Sequence, residues 1–268
     1  MSELLLPAAY AMAPGPDELI TSWVEHHGSK PEEYVALAGL LGVLRRPKSE
    51  VKAVLSIDLC EVVRETGSAC LRFLGHQDEN GNPWSESTNE YARGGHSDDE
   101  INYAVRKLMN EGSVPLSPDA LATGRFLRLA RRQLGVYVVA NTSAIEGAEL
   151  ATIGASGLGH KTLRGGFDGI LFPRGHDGRG RLTKAEALIE GLSAIGLDSR
   201  TVKVAHVDDT VHHHQAFEAR RDAFASLTLT APTHEGNARL EMPARRYEQP
   251  HLAVEAALYD LTSTGAAA

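Results

Sequence analysis

The stretch VKAVLSIDLCEVV, residues 51–63, decides the reading of this chain. An apolar run ends on one carboxylate, Asp58, and a second apolar pair follows it. A carboxylate closing a buried strand sits at the carboxyl edge of a sheet, where open α/β folds bind their ligands. Far downstream VKVAHVDD, residues 202–209, repeats the design and ends on Asp208 and Asp209. Two such strands side by side bring three carboxylates to one point. Carboxylates that converge repel one another, and the usual compensation is a hard cation such as magnesium.

Working outward, the segments between these strands alternate in period. The spacing predicts strands over residues 52–57, 136–141, 167–172 and 202–207. Helices are expected between them and from Val211 onward. A helix over 97–109 is marked by a capping box, Ser97 with Glu100, and one from Thr183 by the same device with Glu186. Ser117-Pro118 is expected to open a helix that stops near Gly135. A further helix is expected over 144–153. Strands alternating with helices argue for a parallel sheet covered on both faces. About 80 residues separate Asp58 from the next strand end, well above a simple crossover, and an inserted module accounts for the excess. The expected organisation is a helical extension over 1–50, a core over 51–65 and 131–268, and a helical cap over 66–130. Turn signals at 78–83 fall inside that cap.

Composition excludes several classes. The chain has 268 residues, 42% apolar and 23% charged, as an ordinary globular protein does. Its net charge of −8 argues against nucleic acid as a partner. No run of residues is long enough to span a bilayer, so no membrane association is expected. Two cysteines, Cys60 and Cys70, are too few for a disulfide framework, and a cytoplasmic location is expected.

The ordered set of motifs resembles the haloacid dehalogenase-like (HAD) superfamily. The resemblance covers roughly residues 50–220. Within it, residues 167–217, with GILF at 169–172 and KAEAL at 184–188, are similar to a poorly characterised branch. It implies a Rossmann-like α/β core with a helical cap after the first strand. It also implies roles. Asp58 would be the nucleophile and a metal ligand. Thr142, with Ser143 beside it, and Lys184 would hold the phosphoryl group. Asp208 and Asp209 would complete a magnesium site with the backbone carbonyl of Cys60. The substrate implied is a small phosphorylated metabolite, hydrolysed through an aspartyl-phosphate.

Two positions depart from the pattern or leave it open. Phosphatases of the superfamily carry a second Asp two residues after the nucleophile, as general acid and then base. Here that position is Cys60, and Glu61 follows where glycine is usual. The departure keeps a second reading alive, a catalytically degenerate HAD-like protein that binds a ligand or partner without turnover. A dehalogenase-type hydrolase needing no magnesium is a third, disfavoured by Asp208-Asp209. Residues 138–143 also admit Ala140 instead of Thr142 as the key position, although the count from Gly135 favours Thr142.

Other features have plainer readings. Asp58 could cap a turn, and Asp208 or Asp209 could cap the helix at Val211. His212, His213 and His214 point in different directions on a helix, so they are expected to form a solvated or partly packed helix start, not a zinc site. Arg179 and Arg181 fit a surface turn, and Trp84 and Tyr91 fit packing within the cap.

Overall fold

The computed structural model of the chain describes residues 51–75, 96–111, 113–143, 166–173, 182–233, 237 and 241–263. The expected helices over 1–50 and 144–153, the turn at 78–83, and Trp84, Tyr91, Arg179 and Arg181 lie outside these residues.

Among the described residues, six strands form one all-parallel sheet: β1 Ala53–Ile57, β2 Val136–Asn141, β3 Gly169–Leu171, β4 Lys203–Val207, β5 Ser226–Pro232 and β6 Arg245–Tyr247. Their order across the sheet is β3-β2-β1-β4-β5-β6. The chain builds outward from β1 in one direction, returns to its other edge with β4, and builds outward again. The reversal falls between β1 and β4. At such a point the helices on the two sides diverge and leave a crevice over the carboxyl ends of the strands.

Period-2 alternation sorts the strand residues onto two faces. Ala53, Leu55 and Ile57 face one cluster, and Val54 faces the other. The first cluster is closed by helix α3, Ala120–Gln133, through Leu127 and Ala130, and by helix α6, Pro250–Thr262, through Ala253, Val254, Ala257, Leu258 and Leu261. The second is closed by α4, Lys184–Ala194, and α5, Val211–Ala219, through Ala185, Leu188, Leu192 and Phe217. Truncating a fully buried core leucine such as Leu127 to alanine would cost about 2–5 kcal/mol. Two shorter helical pieces, α1 Thr66–Phe73 and α2 Asp98–Asn110, pack on each other around Cys70, Ala104 and Leu108 in a cluster of their own.

Most elements begin and end where the sequence marks them. Thr183 accepts from the Glu186 amide while Glu186 returns to the Thr183 amide, so α4 opens with the expected capping box. Ser97 and Glu100 make the same pair at α2. Gly135 follows α3 in the left-handed region, at φ 68°, which only glycine adopts without steric cost.

Two expectations are corrected. The helix expected from Ser117-Pro118 starts at Ala120, because Asp119 takes a left-handed φ of 59° and breaks the continuity. That same helix packs onto the sheet and on α6. The third strand is also shorter than its apolar run, since Phe167 and Phe172 lie in the core outside the paired residues.

Candidate active site

β1 pairs with β4 so that Ile57 stands opposite Val207. Asp58 and Asp208 are each one residue further on, at the carboxyl edge and at the chain reversal. The Asp58 amide continues the ladder by donating to the Val207 carbonyl at 2.9 Å. Asp209 follows Asp208, and the carboxylates of all three approach within 4.8 Å of one another while buried.

Lys184 reaches the same point from the first residue of α4. Its Nζ lies 2.8 Å from Asp58 Oδ1 and 2.7 Å from Asp208 Oδ2. The ion pair is enclosed, with side-chain exposures of 1% for Lys184, 5% for Asp58 and 0% for Asp208. Lys184 is therefore not the solvated lysine that a helix's first turn commonly carries. Burial of both partners makes each charge depend on the other, since an isolated buried charge costs several kcal/mol.

Ionisation divides unevenly. Burial pushes the Asp58 carboxyl up, the Lys184 ammonium pulls it down, Asp208 and Asp209 push it up again, and it comes to about 7. Burial acts on Asp208 in the same sense but is outweighed by Lys184, His213 and His206, which hold that carboxyl well below the ordinary range. Burial opposes the charge on Lys184, yet Asp208 and Asp58 raise it above its usual value. Asp208 and Lys184 thus form the permanent ion pair, and Asp58 is the carboxylate left short of compensation.

The Asp58 oxygens are not equivalent. Oδ1 accepts from the Leu59 amide at 2.8 Å and from Lys184. Two donors fill both lone pairs of that oxygen. Oδ2 accepts no hydrogen bond among the described residues and is the oxygen left to react or to bind a cation.

The donor set fits a hard divalent cation. Three buried carboxylates converge and the ion pairs place one ammonium on them, while burial, with the charges of Asp208 and Asp209, raises the Asp58 carboxyl. Oxygen-only ligation of this kind suits magnesium or calcium. The Cys60 thiol is not part of the cluster.

The second strand supplies the next residues. Ala140 is inside β2, opposite Ile57 and Ile170, in the apolar core. Thr142 is the first residue past that strand and is fully buried. Ser143 Oγ lies 3.0 Å from His213 Nε2, so this loop is tied to the start of α5. Neither Asp208 nor Asp209 caps that helix. Its N-cap is Thr210, whose hydroxyl donates to Asp209 Oδ1 and does not cap the helix, and Asp208 Oδ1 accepts from the Thr210 amide at 2.9 Å. The Asp209 carbonyl accepts from Asn237 Nδ2.

After Asp58 the chain turns tightly. Cys60 is half-buried and Glu61 takes a left-handed φ of 56°. That is the conformation a glycine would adopt freely, so the backbone form survives the change of residue. Glu61 Oε1 accepts from the Gly67 amide, which ties the turn to α1.

The solvated or partly packed helix start expected for the histidine run is corrected at His214. It is fully buried, with Nε2 donating to the Asp208 carbonyl at 2.8 Å. His206, inside β4, is buried too, and its Nε2 lies 3.2 Å from Asp208 Oδ2. Sequence reasoning gave these residues no role at the site. The available signal was polarity at a strand position that alternation assigns to a buried face. Burial lowers all three imidazoles, His206 to about 4 and His213 and His214 below their usual value, so the rings are neutral around pH 7.

No protein-family model and no curated protein matches the sequence. Solved structures do. A structure described as a dehalogenase aligns over 80% of this chain and 98% of its own, with a TM-score of 0.50 and 13% identity. A HAD-superfamily hydrolase of subfamily IA, variant 1, from Geobacter sulfurreducens PCA aligns over 76% and 99%, with a TM-score of 0.49 and 16% identity. CbbY from Rhodobacter sphaeroides, solved with phosphate, aligns over 75% and 95%, with a TM-score of 0.46 and 14% identity. The parallel sheet with helices on both faces is a Rossmann-like α/β fold, shared with the dehalogenase structure.

Proposed function

We propose that the protein is a magnesium-dependent phosphatase of HAD type acting on a small phosphorylated metabolite. The observation that carries this reading is the buried Lys184 ammonium held between Asp58 and Asp208 at the edge of adjacent strands. It neutralises charge at the place where an anionic group would have to meet a carboxylate, and it leaves Asp58 Oδ2 unencumbered.

Asp58, Asp208 and Asp209, with the Cys60 carbonyl, would hold the magnesium ion. When bound, it screens the carboxylate from the phosphoryl oxygens. Asp58 Oδ2 attacks phosphorus, the bond to the leaving oxygen breaks, and an aspartyl-phosphate forms. Water then attacks that phosphorus and restores the Asp58 carboxylate. Lys184 holds Asp58 in place and offsets charge on the phosphoryl group. Thr142, past the strand end, donates to a phosphoryl oxygen, and Ser143, tied to His213, fixes the loop that carries it. Helices α1 and α2, within the cap expected over 66–130, would cover the edge.

A second reading is favoured by one position. Cys60 stands where a general acid would be, and a thiol does not readily protonate a leaving alkoxide. A HAD-like protein that binds a phosphorylated ligand without turnover would keep every other feature. A screen of phosphate esters with added magnesium, run on the wild type beside Asp58→Asn, decides between them. Magnesium-dependent release of phosphate that is lost in Asp58→Asn supports the phosphatase. Ligand binding without release on any ester supports the binding protein.

A further inference from the structure

The sheet face under α4 and α5 is apolar along most of its length and turns polar just before the carboxyl edge. One residue from each of three neighbouring strands does this: Asn141 in β2, Ser56 in β1 and His206 in β4. All three are fully buried. Ser56 and His206 are directly paired in the β1–β4 register.

They are joined in a row. Asn141 Nδ2 is 3.3 Å from Ser56 Oγ, Ser56 Oγ is 3.0 Å from His206 Nδ1, and His206 Nε2 is 3.2 Å from Asp208 Oδ2. Both ends of the row are hydrogen-bonded to the same residue, Lys184. Asn141 Nδ2 also donates to the Lys184 backbone carbonyl at 2.9 Å, and Lys184 Nζ donates to Asp208 Oδ2 at 2.7 Å.

Donor and acceptor chemistry gives the row one direction. A backbone carbonyl only accepts, so the Asn141 amide nitrogen must face it, and that nitrogen is then the donor to Ser56. At the other end an ionised carboxylate only accepts, so His206 Nε2 must carry a proton. In a ring with one proton, Nδ1 is then a bare acceptor. Ser56 has a single proton, and it goes to Nδ1. The reverse tautomer would face an unprotonated nitrogen with a carboxylate oxygen. The ring has little freedom to escape this, being stacked on Phe217 with centroids 4.0 Å apart and edge-on to His214.

We infer that this row locks His206 as the Nε2–H tautomer and makes it a positioning residue for Asp208, selecting which Asp208 oxygen faces a cation. Oδ2 accepts from both Lys184 and His206, which occupies its two lone pairs. Oδ1 accepts one hydrogen bond, from the Thr210 amide, and keeps a lone pair. The consequence for a cation rests on the reading of Asp208 as a metal ligand under the proposed function. The tautomer does not.

The test uses the full chain with 15N-labelled histidine. Long-range 1H–15N correlation at pH 7.5 without metal reads the protonation pattern of each ring, and His206→Gln assigns the His206 signals. The expected pattern is neutral Nε2–H in the wild type. Magnesium titration by calorimetry is the second readout. Groups that orient metal-ligating side chains typically contribute 10–100-fold in affinity, so losses of about that size are expected in Ser56→Ala and His206→Leu. His206→Gln keeps a donor for Asp208 and should recover most of the loss.

An Nδ1–H or doubly protonated His206 in the wild type overturns the inference. So does wild-type magnesium affinity in both Ser56→Ala and His206→Leu, provided that Asp208→Asn weakens binding. If Asp208→Asn also binds magnesium normally, the metal reading of Asp208 has failed instead, and the wild-type tautomer alone judges the row. Should the variants not fold, the same wild-type measurement still decides.

Discussion

Asp58 and Asp208 stand one residue beyond a paired position, Ile57 opposite Val207, on strands that are neighbours in space and far apart in sequence. Each carboxylate is therefore placed by the ladder and not by a flexible loop. Removing the single ammonium between them would leave two buried carboxylates without a cation.

Lys184→Met should destabilise the fold by about 3–5 kcal/mol at pH 7.5, the usual cost of removing one partner from a buried ion pair. Adding Asp208→Asn should return part of that loss, because the uncompensated charge disappears with it. Urea unfolding of the two single variants and the double variant measures the coupling. Additive effects would contradict the ion pair.

Magnesium affinity should depend on pH through Asp58. Its carboxyl is raised to about 7 in the metal-free fold, so below that pH a cation must displace a proton to bind. Affinity is expected to rise as pH increases toward about 7 and to level off above it. Calorimetry in buffers of different ionisation enthalpy should show proton release on binding near pH 6 and little near pH 8. Equal proton release at both would remove Asp58 as the titrating ligand.

His206, His213 and His214 give the fold an acid sensitivity. His206, His213 and His214 are lowered below their unfolded value near 6.5, so below that pH the unfolded chain takes up protons that the folded chain refuses. Their contribution to stability is complete above pH 6.5 and is lost as pH falls, for His206 down to about 4. Asp58 works in the opposite sense, since its raised carboxyl favours the folded state at low pH. His214→Gln should blunt the loss of stability between pH 6.5 and 4.5 in urea titrations. An unchanged slope would show that His214 does not titrate on unfolding.

Cys60 should limit turnover, and the limit should depend on the leaving group. Aryl phosphates leave with little protonation and should react weakly. Alkyl phosphates should react very little. Cys60→Asp should raise alkyl phosphate turnover by an appreciable part of the roughly 10²–10⁴ that acid–base assistance supplies. Efficient alkyl turnover by the wild type, unchanged in Cys60→Asp, would mean that another residue carries the proton.

The sheet was legible in the sequence because its strands are buried on both faces and read as nearly unbroken apolar runs. Asp58, Asp208 and Asp209 could be found because each closes such a run. Lys184 was visible through its capping box, which fixed the helix start to the residue. Three things were hidden. The left-handed Asp119 delays a helix that Ser117-Pro118 advertises, and nothing local announces that conformation. The packing of Ala120–Gln133 on the sheet brings Leu127 and Ala130 against α6, a contact made from the far end of the chain. The row through Asn141, Ser56 and His206 requires the strand register, since three polar residues scattered over β2, β1 and β4 become neighbours only once the sheet is assembled.

The central position of β1 has a cost in the time before the sheet exists. Its two hydrogen-bonding edges are met by Val136–Asn141 and Lys203–Val207, about 80 and 150 residues further along. A chain emerging from the ribosome presents AVLSI, residues 53–57, as an unpaired apolar strand throughout that interval. Contacts of such long sequence separation close late and slow the folding of parallel sheets, and the open edges invite association in the meantime. Asp58, the first residue of the site to be synthesised, is thus among the last to be enclosed. Its charge at the end of that strand helps to keep the waiting segment apart from other copies of itself.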